Sequence, residues 1–403
     1  MEKEILRKAE EKIRQIEHYY NYEYMSGDVS LYPALLKGMG GVIMIQSLFY
    51  QHHQSEKLKG FIDRTIEALI TEIEKTDPLL STFSGGLAGL GWLFLFLTET
   101  KMIEESMDEF LTDTDEVLLG EMDAMIQEKL FDFLHGAIGL GNYFLKRHHK
   151  PALEKLVTAL DQAVTKSKEE IKIDCYHFLR NTRVYDFGLA HGNANVLYFL
   201  AKCFETGVLP ETCIRLITGI VKFYFNNLQE PRYFKAIFPS LINVSDYSIE
   251  KKENYRSRLA WCYGDLSALN TLLTVAKTIG NQKLGSDAMN LLLETTTREQ
   301  FEFTSVTDPA FCHGSSGVGM IYWNLYKKTG IKQFKQSALH WLNQTLLMDE
   351  GDEKGICGYL FPLEGVGNVR IADILDGLGG VALLLCSMVY ETDLDWTKCL
   401  LLS

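Results

Sequence analysis

Hydrophobic positions fall along this chain in two alternating kinds of segment. One kind is apolar almost throughout, as in VIMIQSLFY, LGWLFLFL, VLYFLAKCF, MIYWNLYKK and VALLLCSMVY. A helix that is apolar on every side has no face to turn to water and is buried on most of its circumference. The other kind repeats its apolar residues every three or four positions with charges between them, as in FIDRTIEALITEIEK, ALEKLVTALDQAV, ETCIRLITGIVKFYF and FKQSALHWLNQTLL. This is the pattern of a helix with one buried and one solvated face. The chain is therefore predicted to build an inner and an outer layer of helices.

A glycine step opens each inner segment. GMGGV begins at Gly38, GLAGL at Gly86, GAIGL at Gly136, GNANV at Gly192, GDLSA at Gly264, GSSGV at Gly314 and GLGGV at Gly377, with Asn195 and Ser267 in place of the second glycine in the fourth and fifth copies. Successive copies lie 48, 50, 56, 72, 50 and 63 residues apart, which suits one helix pair per repeat with extra material in two places. Such pairs bury their inner helices only by stacking side by side, and closing the stack into a ring removes the exposed ends of an open solenoid. The expectation is an all-α protein, an α/α toroid of about fourteen helices forming a single domain over residues 1–403, with the open solenoid as the alternative. The helical pattern stops at 171–188 and again at 228–258, where aromatic and β-branched residues predict small inserted extended segments.

Composition narrows the partners. A net charge of −13 excludes a nucleic-acid surface, which needs clustered Lys and Arg to neutralise phosphates. The opening stretch MEKEILRKAEEKIRQIEHYY mixes charges into a helical pattern and reads as a first helix rather than a secretory signal. No apolar run is long enough for a transmembrane segment, so the expected location is cytoplasmic. Eight cysteines scattered over 403 residues do not form a disulfide framework in a reducing compartment, and most are read as small core residues.

Candidate chemistry sits just before the glycines. In a ring, the residue preceding each motif arrives at the same end of the axis, and those residues are Lys37, Gly85, His135, His191, Tyr263, His313 and Asp376, with Cys262 and Cys312 one place earlier in two adjacent copies. Two thiolates and one imidazole, from Cys262, Cys312 and His313, suit a tetrahedral Zn²⁺ with a fourth position open for catalysis. On residues alone, a lone Cys before a glycine reads equally as a small buried side chain, His191 as a satisfied buried histidine and Arg258 as a solvated charge. His135 is read as structural, and Asp373 and Asp376 as residues able to cap the last inner helix.

GLAHG at 188–192, WCYG at 261–264 and CHG at 312–314, in this order within the glycine repeat, resemble the lanthionine synthetase C family, over essentially the whole chain. The resemblance implies a stand-alone lanthipeptide cyclase with an α/α toroid fold. Its zinc ligands match Cys262, Cys312 and His313, and its other site residues match His191, Arg258, Asp132 of DFLHG and Tyr263. The implied reaction is addition of a peptide Cys thiol to dehydroalanine or dehydrobutyrine, giving a thioether ring. The implied partners are a dehydrated precursor peptide, with the dehydratase and exporter of the same pathway, and attachment to the membrane would be peripheral, through that complex. Two alternatives stand beside it: glutathione addition to dehydroamino acids in damaged proteins, and a non-catalytic zinc-containing peptide-binding protein. The chain departs from the family in running HGNANV after the His motif and DLS after WCYG, changes that bear on loop packing and substrate shape rather than on ligands.

Overall fold

The inner segments fold as helices with no wet face. In the computed structural model, which describes residues 2–27, 31–167, 170–177, 181–230, 232, 234–247, 256–351 and 354–403, the helices in chain order begin with α1 (Glu2–His18), α2 (Met39–His53), α3 (Glu56–Lys75), α4 (Leu87–Glu99) and α5 (Asp108–Gln127). They continue with α6 (Ala137–Lys146), α7 (Lys150–Ala163), α8 (Asn193–Glu205), α9 (Pro210–Asn226), α10 (Asp265–Thr278) and α11 (Gln282–Thr295). After the short α12 (Phe301–Thr304) come α13 (Ser315–Thr329), α14 (Lys332–Leu347) and α15 (Leu378–Val389). Every residue from Met39 to Phe49 of α2 and from Leu378 to Met388 of α15 is buried. The neighbouring α3 buries only Leu58, Phe61, Ile62, Thr65, Ile66 and Leu69, a stripe at helical spacing. Each fully buried Leu, Ile or Phe contributes about 1.5–3 kcal/mol relative to exposure, so the inner helices carry the core.

Two compact units divide the chain. The first comprises Met1–Asp108 and Val306–Leu400, and in it α13, α15 and α2 pack in succession, α2 also touching α4, with α14 and α3 against α13 and α2 and with α1 against α14 and α15. The second comprises Glu109–Ser305 and Leu401–Ser403, and in it α6, α8 and α10 pack in succession, backed by α7, α9 and α11.

The second unit also carries the extended segments. Strands β1 (Thr165–Lys166) and β2 (Ile171–Lys172) pair antiparallel. Strands β3 (Cys175–His177), β4 (Thr182–Asp186) and β5 (Leu241–Asn243) form an antiparallel sheet in which Val184 faces Cys175 on one side and Asn243 on the other. Strand β4 ends at Asp186 and runs straight into the turn that carries His191. Of the sequence-predicted insertion at 228–258, residues 231, 233 and 248–255 lie outside the described residues. In the first unit, β6 (Phe361–Leu363) and β7 (Gly367–Val369) form a hairpin.

The repeated glycine is explained by a repeated turn. A Cβ on Gly86 would lie 1.9 Å from the carbonyl oxygen of Leu80, and one on Gly264 would lie 2.1 Å from that of Arg258. In both copies the obstructing oxygen belongs to the residue six places earlier, and it accepts the N–H of the residue after the glycine: Leu87 to Leu80 at 2.8 Å, Asp265 to Arg258 at 3.3 Å. The turn folds its own carbonyl across the start of the inner helix, and only a residue without Cβ fits beneath it. Gly264 also has φ of +142°, a second reason for glycine there.

Candidate active site

Within each unit, main-chain hydrogen bonds tie neighbouring turns together. In the second unit the Phe133 N–H donates to Ala190 O at 3.1 Å, while the N–H groups of Leu189 and Ala190 donate to Cys262 O at 2.9 and 3.2 Å. The buried Trp261 meets the Phe133 ring edge-on, with centroids 6.4 Å apart. In the first unit Cys312 N–H donates to Leu375 O at 2.8 Å, Leu375 N–H to Leu36 O at 3.3 Å, and Leu36 N–H to Ser84 O at 3.1 Å. Leu36, Ser84, Ala190, Cys262, Cys312 and Leu375 all stand two places before their glycine. The position that holds cysteine in two copies is thus the one that makes the link, and the residue after it is projected from a fixed backbone.

In the second unit that arrangement gathers Asp132, His135, His191 and Tyr263. His191 Nδ1 lies 3.2 Å from Asp132 Oδ2, and because an ionised carboxylate only accepts, Nδ1 carries the proton and Nε2 is left for other work. Asp132 is itself held, its Oδ1 accepting the His135 N–H at 2.6 Å. The His135 ring lies nearly parallel to that of His191, at 9° with centroids 5.9 Å apart, and its Nδ1 is 3.8 Å from Asp132 Oδ2. Tyr263 approaches His191 from another side, ring centroids 5.5 Å apart. Burial alone would raise the pKa of Asp132; hydrogen bonds and charge from His135 and His191 outweigh it and hold the carboxyl well below the usual range. Burial likewise would lower that of His191, but Asp132 outweighs it and the imidazole titrates above its ordinary value. Arg258 is half-buried at the head of the same loop as Cys262 and Tyr263, and no carboxylate among the described residues pairs with it.

Cys262 is 3% exposed and unpaired by any disulfide, as are all eight cysteines. Its loop is anchored by a buried ion pair. Arg298 binds the Asp265 carboxylate, with side chains 1% and 0% exposed, and donates to the carbonyls of Ser257 at 2.6 Å and Phe303 at 2.6 and 2.8 Å. Asp265 in turn accepts the N–H groups of Ile237 at 3.0 Å and Phe238 at 2.9 Å.

Cys312 and His313 sit in the first unit. His313 Nε2 lies 3.4 Å from Asp308 Oδ2, and the nearly buried Asp308 is fixed by the Ala310 N–H on its other oxygen at 2.9 Å. Lys37 and Asp376, the residues before the first and last glycines, form an ion pair at 3.0 Å. Asp373 accepts the Asp376 N–H at 2.8 Å, closing the turn ahead of α15. Burial, reinforced by Asp376, pushes the Asp373 carboxyl up to about 7.

Four residues that shape these sites escaped the motif reading: Asp186, Asp308, Asp265 and Arg298. A signal for two of them was present, since DFGLAHG and DPAFCHG share an Asp six places before the glycine and five before the His. Burial pushes the Asp186 carboxyl up to about 6 against the pull of the Gly188 N–H that it accepts at 2.6 Å.

The profile of the family described as Lanthionine synthetase C-like protein matches residues 4–401, and the chain belongs to that family. Among solved structures, a nisin cyclase aligns with 99% of this chain and 98% of its own at 20% identity and a TM-score of 0.74. That likeness bears out the expected fold class: all-α, of the α/α-toroid type. A sugar epimerase from a ruminal bacterium aligns at 12% identity with a TM-score of 0.41, too distant to bear on the fold. No curated protein sequence matches the chain. Among the described residues no helix is long and apolar enough to cross a membrane.

Proposed function

We propose that this protein is a zinc-dependent lanthipeptide cyclase, adding peptide Cys thiols to dehydroalanine or dehydrobutyrine within a dehydrated precursor peptide. What carries the reading is family membership over residues 4–401 in a chain that presents an acid-held histidine at each of two equivalent turns, Asp132 on His191 and Asp308 on His313.

Cys262, Cys312 and His313 are the proposed zinc ligands. The residues fit such an ion: both thiols are free of disulfides, and His313 has one ring nitrogen turned to a carboxylate, as ligating imidazoles do, leaving Nδ1 for the metal. Zinc in a two-thiolate, one-imidazole site supplies Lewis acidity that lowers the pKa of a thiol at its remaining position.

The other residues act on the second reactant. As the C–S bond forms at the β-carbon, the alkene electron pair moves through the α-carbon to the carbonyl oxygen. Arg258, always charged and half-buried, stabilises that oxygen. His191 then delivers a proton to the α-carbon, and the carboxylate of Asp132, which raises its pKa against the effect of burial, favours the protonated form that this step needs. Asp132 fixes the imidazole tautomer and orientation, and Tyr263 packs beside the ring. The proton given up by the thiol balances the one consumed.

The test is incubation of the purified protein with a dehydrated Cys-containing peptide, with and without chelator, and with and without glutathione, counting alkylatable thiols by mass spectrometry. Loss of peptide thiols at constant mass, abolished by chelation and restored by zinc, is the expected result. A mass gain of one glutathione per dehydro residue assigns the protein to glutathione addition instead. Peptide binding with no change in thiols or mass identifies a non-catalytic peptide-binding protein.

A further inference from the structure

We propose that Asp132, His135 and His191 form a second divalent-cation site, sharing no ligand with the cysteine-based one, and that a Zn²⁺ ion bound there silences the enzyme by occupying His191. The claim about silencing rests on the reading of His191 as proton donor; the claim about binding does not.

Each of the three residues offers one ligand atom, and all three atoms lie within 4.8 Å of one another. A tetrahedral zinc ion with bonds of about 2.0–2.1 Å to nitrogen and oxygen sets neighbouring ligand atoms about 3.3 Å apart. The distances from Asp132 Oδ2, 3.2 Å to His191 Nδ1 and 3.8 Å to His135 Nδ1, bracket that edge. Two imidazoles and a carboxylate form a donor set of borderline softness, suited to Zn²⁺, Co²⁺ or Ni²⁺ rather than to Mg²⁺ or Ca²⁺.

The cluster is also held in advance. Asp132 and His135 stand three places apart in one turn, and the His135 N–H fixes the second carboxylate oxygen at 2.6 Å, so the first is aimed at both rings. The near-parallel rings, centroids 5.9 Å apart, lie on the same side of the shared carboxylate oxygen. His135 is 53% exposed and the other two 26%, so an ion reaches the site from water and keeps water in its remaining position. The buried Asp186 adds negative potential at His191.

Occupancy and proton transfer exclude each other. With a cation on His191 Nδ1 the Asp132 hydrogen bond is lost and the ring can no longer form the doubly protonated imidazolium that gives its Nε2 proton to the α-carbon. Excess zinc then inhibits the enzyme that one equivalent activates.

The experiment titrates the full-length protein, already holding one equivalent of Co²⁺, with further Co²⁺, followed by absorption and by calorimetry, and repeats the cyclisation assay against rising Zn²⁺. Expected are a first ion with sulfur-to-cobalt charge-transfer absorption and a second with nitrogen and oxygen ligands only. His135→Ala weakens the second by about tenfold or more and relieves zinc inhibition to the same extent. Cys262→Ala loses the first ion and keeps the second, so failure of the thiolate site is distinguishable from failure of this one. A single ion bound by the wild-type protein at millimolar Co²⁺, or a second ion retained unchanged in His135→Ala, overturns the site. A second ion bound without loss of activity overturns its inhibitory role.

Discussion

Replacing Arg298 by methionine tests whether the buried pair beneath the Cys262 loop stabilises the protein as its geometry requires. The variant keeps the volume and removes the charge. It leaves Asp265, fully buried, with two backbone N–H donors and no counter-charge, and it strips the carbonyls of Ser257 and Phe303 of their donor. Breaking a buried pair from one side costs about 3–5 kcal/mol, and the two orphaned carbonyls place this case in the upper half. With an unfolding entropy of about 2.1 cal/mol/K per residue, 4 kcal/mol corresponds to a Tm loss of about 5 °C if the whole chain melts together and about 10 °C if one unit melts alone. The pH dependence carries the cause. Burial raises the pKa of Asp265, opposed first by Arg298, so its removal raises that pKa further. The folded variant then holds a proton that the unfolded chain has released, and its stability falls as pH rises from the unfolded value of about 3.9 toward the raised folded one. Thermal unfolding of wild type and variant at pH 5 and pH 8 should therefore show the larger deficit at pH 8. Equal deficits at both, or a loss under about 1 kcal/mol, refute the assignment of the stabilisation to a charge pair.

Three further outcomes follow from the sites. Asp132→Asn removes the group that raises the His191 pKa, so the alkaline limb of the cyclisation rate moves to lower pH, with a rate loss smaller than the roughly 10²–10⁴-fold expected for His191→Ala; pH profiles of kcat/KM for the two variants check this. Asp308→Asn weakens zinc binding by about 10–100-fold without removing a ligand, measured by competition with a chromophoric chelator. Asp373, pushed up to about 7, makes the folded protein lose stability as pH rises from about 3.9 to about 7, so Asp373→Asn, which keeps the acceptor for the Asp376 N–H, flattens urea-midpoint profiles over that range and gains stability at pH 8.

Periodicity in the chain exposed the helix layers because buried and half-buried helices differ in composition around their whole circumference, a property that α2 and α3 display in adjacent segments. The glycine repeat was equally visible, but its cause was not: the obstructing carbonyl six residues back is a main-chain atom and leaves no mark on side-chain identity. His191 and His313 were found from their place before a glycine, and their acids were half visible. Asp132 came through resemblance to a family, whereas Asp308 and Asp186 were overlooked in a spacing that both turns share. Arg298 could not be read at all, since its partner lies 33 residues away and a lone arginine after a threonine run looks like any solvated charge. His135 reads as structural in the sequence; it shares a turn with Asp132, but its place beside His191 depends on the main-chain bond from Phe133 to Ala190 that joins the two turns.

The linked turns of the first unit run in the order Cys312, Leu375, Leu36, Ser84, so that the last glycine turn sits between the sixth and the first. During synthesis, residues 2–108 leave the ribosome with α3 and α4 available to cover part of α2, but the side that α15 covers stays bare, because α15 begins only at Leu378. At about 5–20 residues per second the wait for residue 306 alone is about 10–40 s. Residues 109–305 emerge within that interval as an almost continuous unit, free to fold first. Helix α2 therefore spends that interval with one apolar side uncovered.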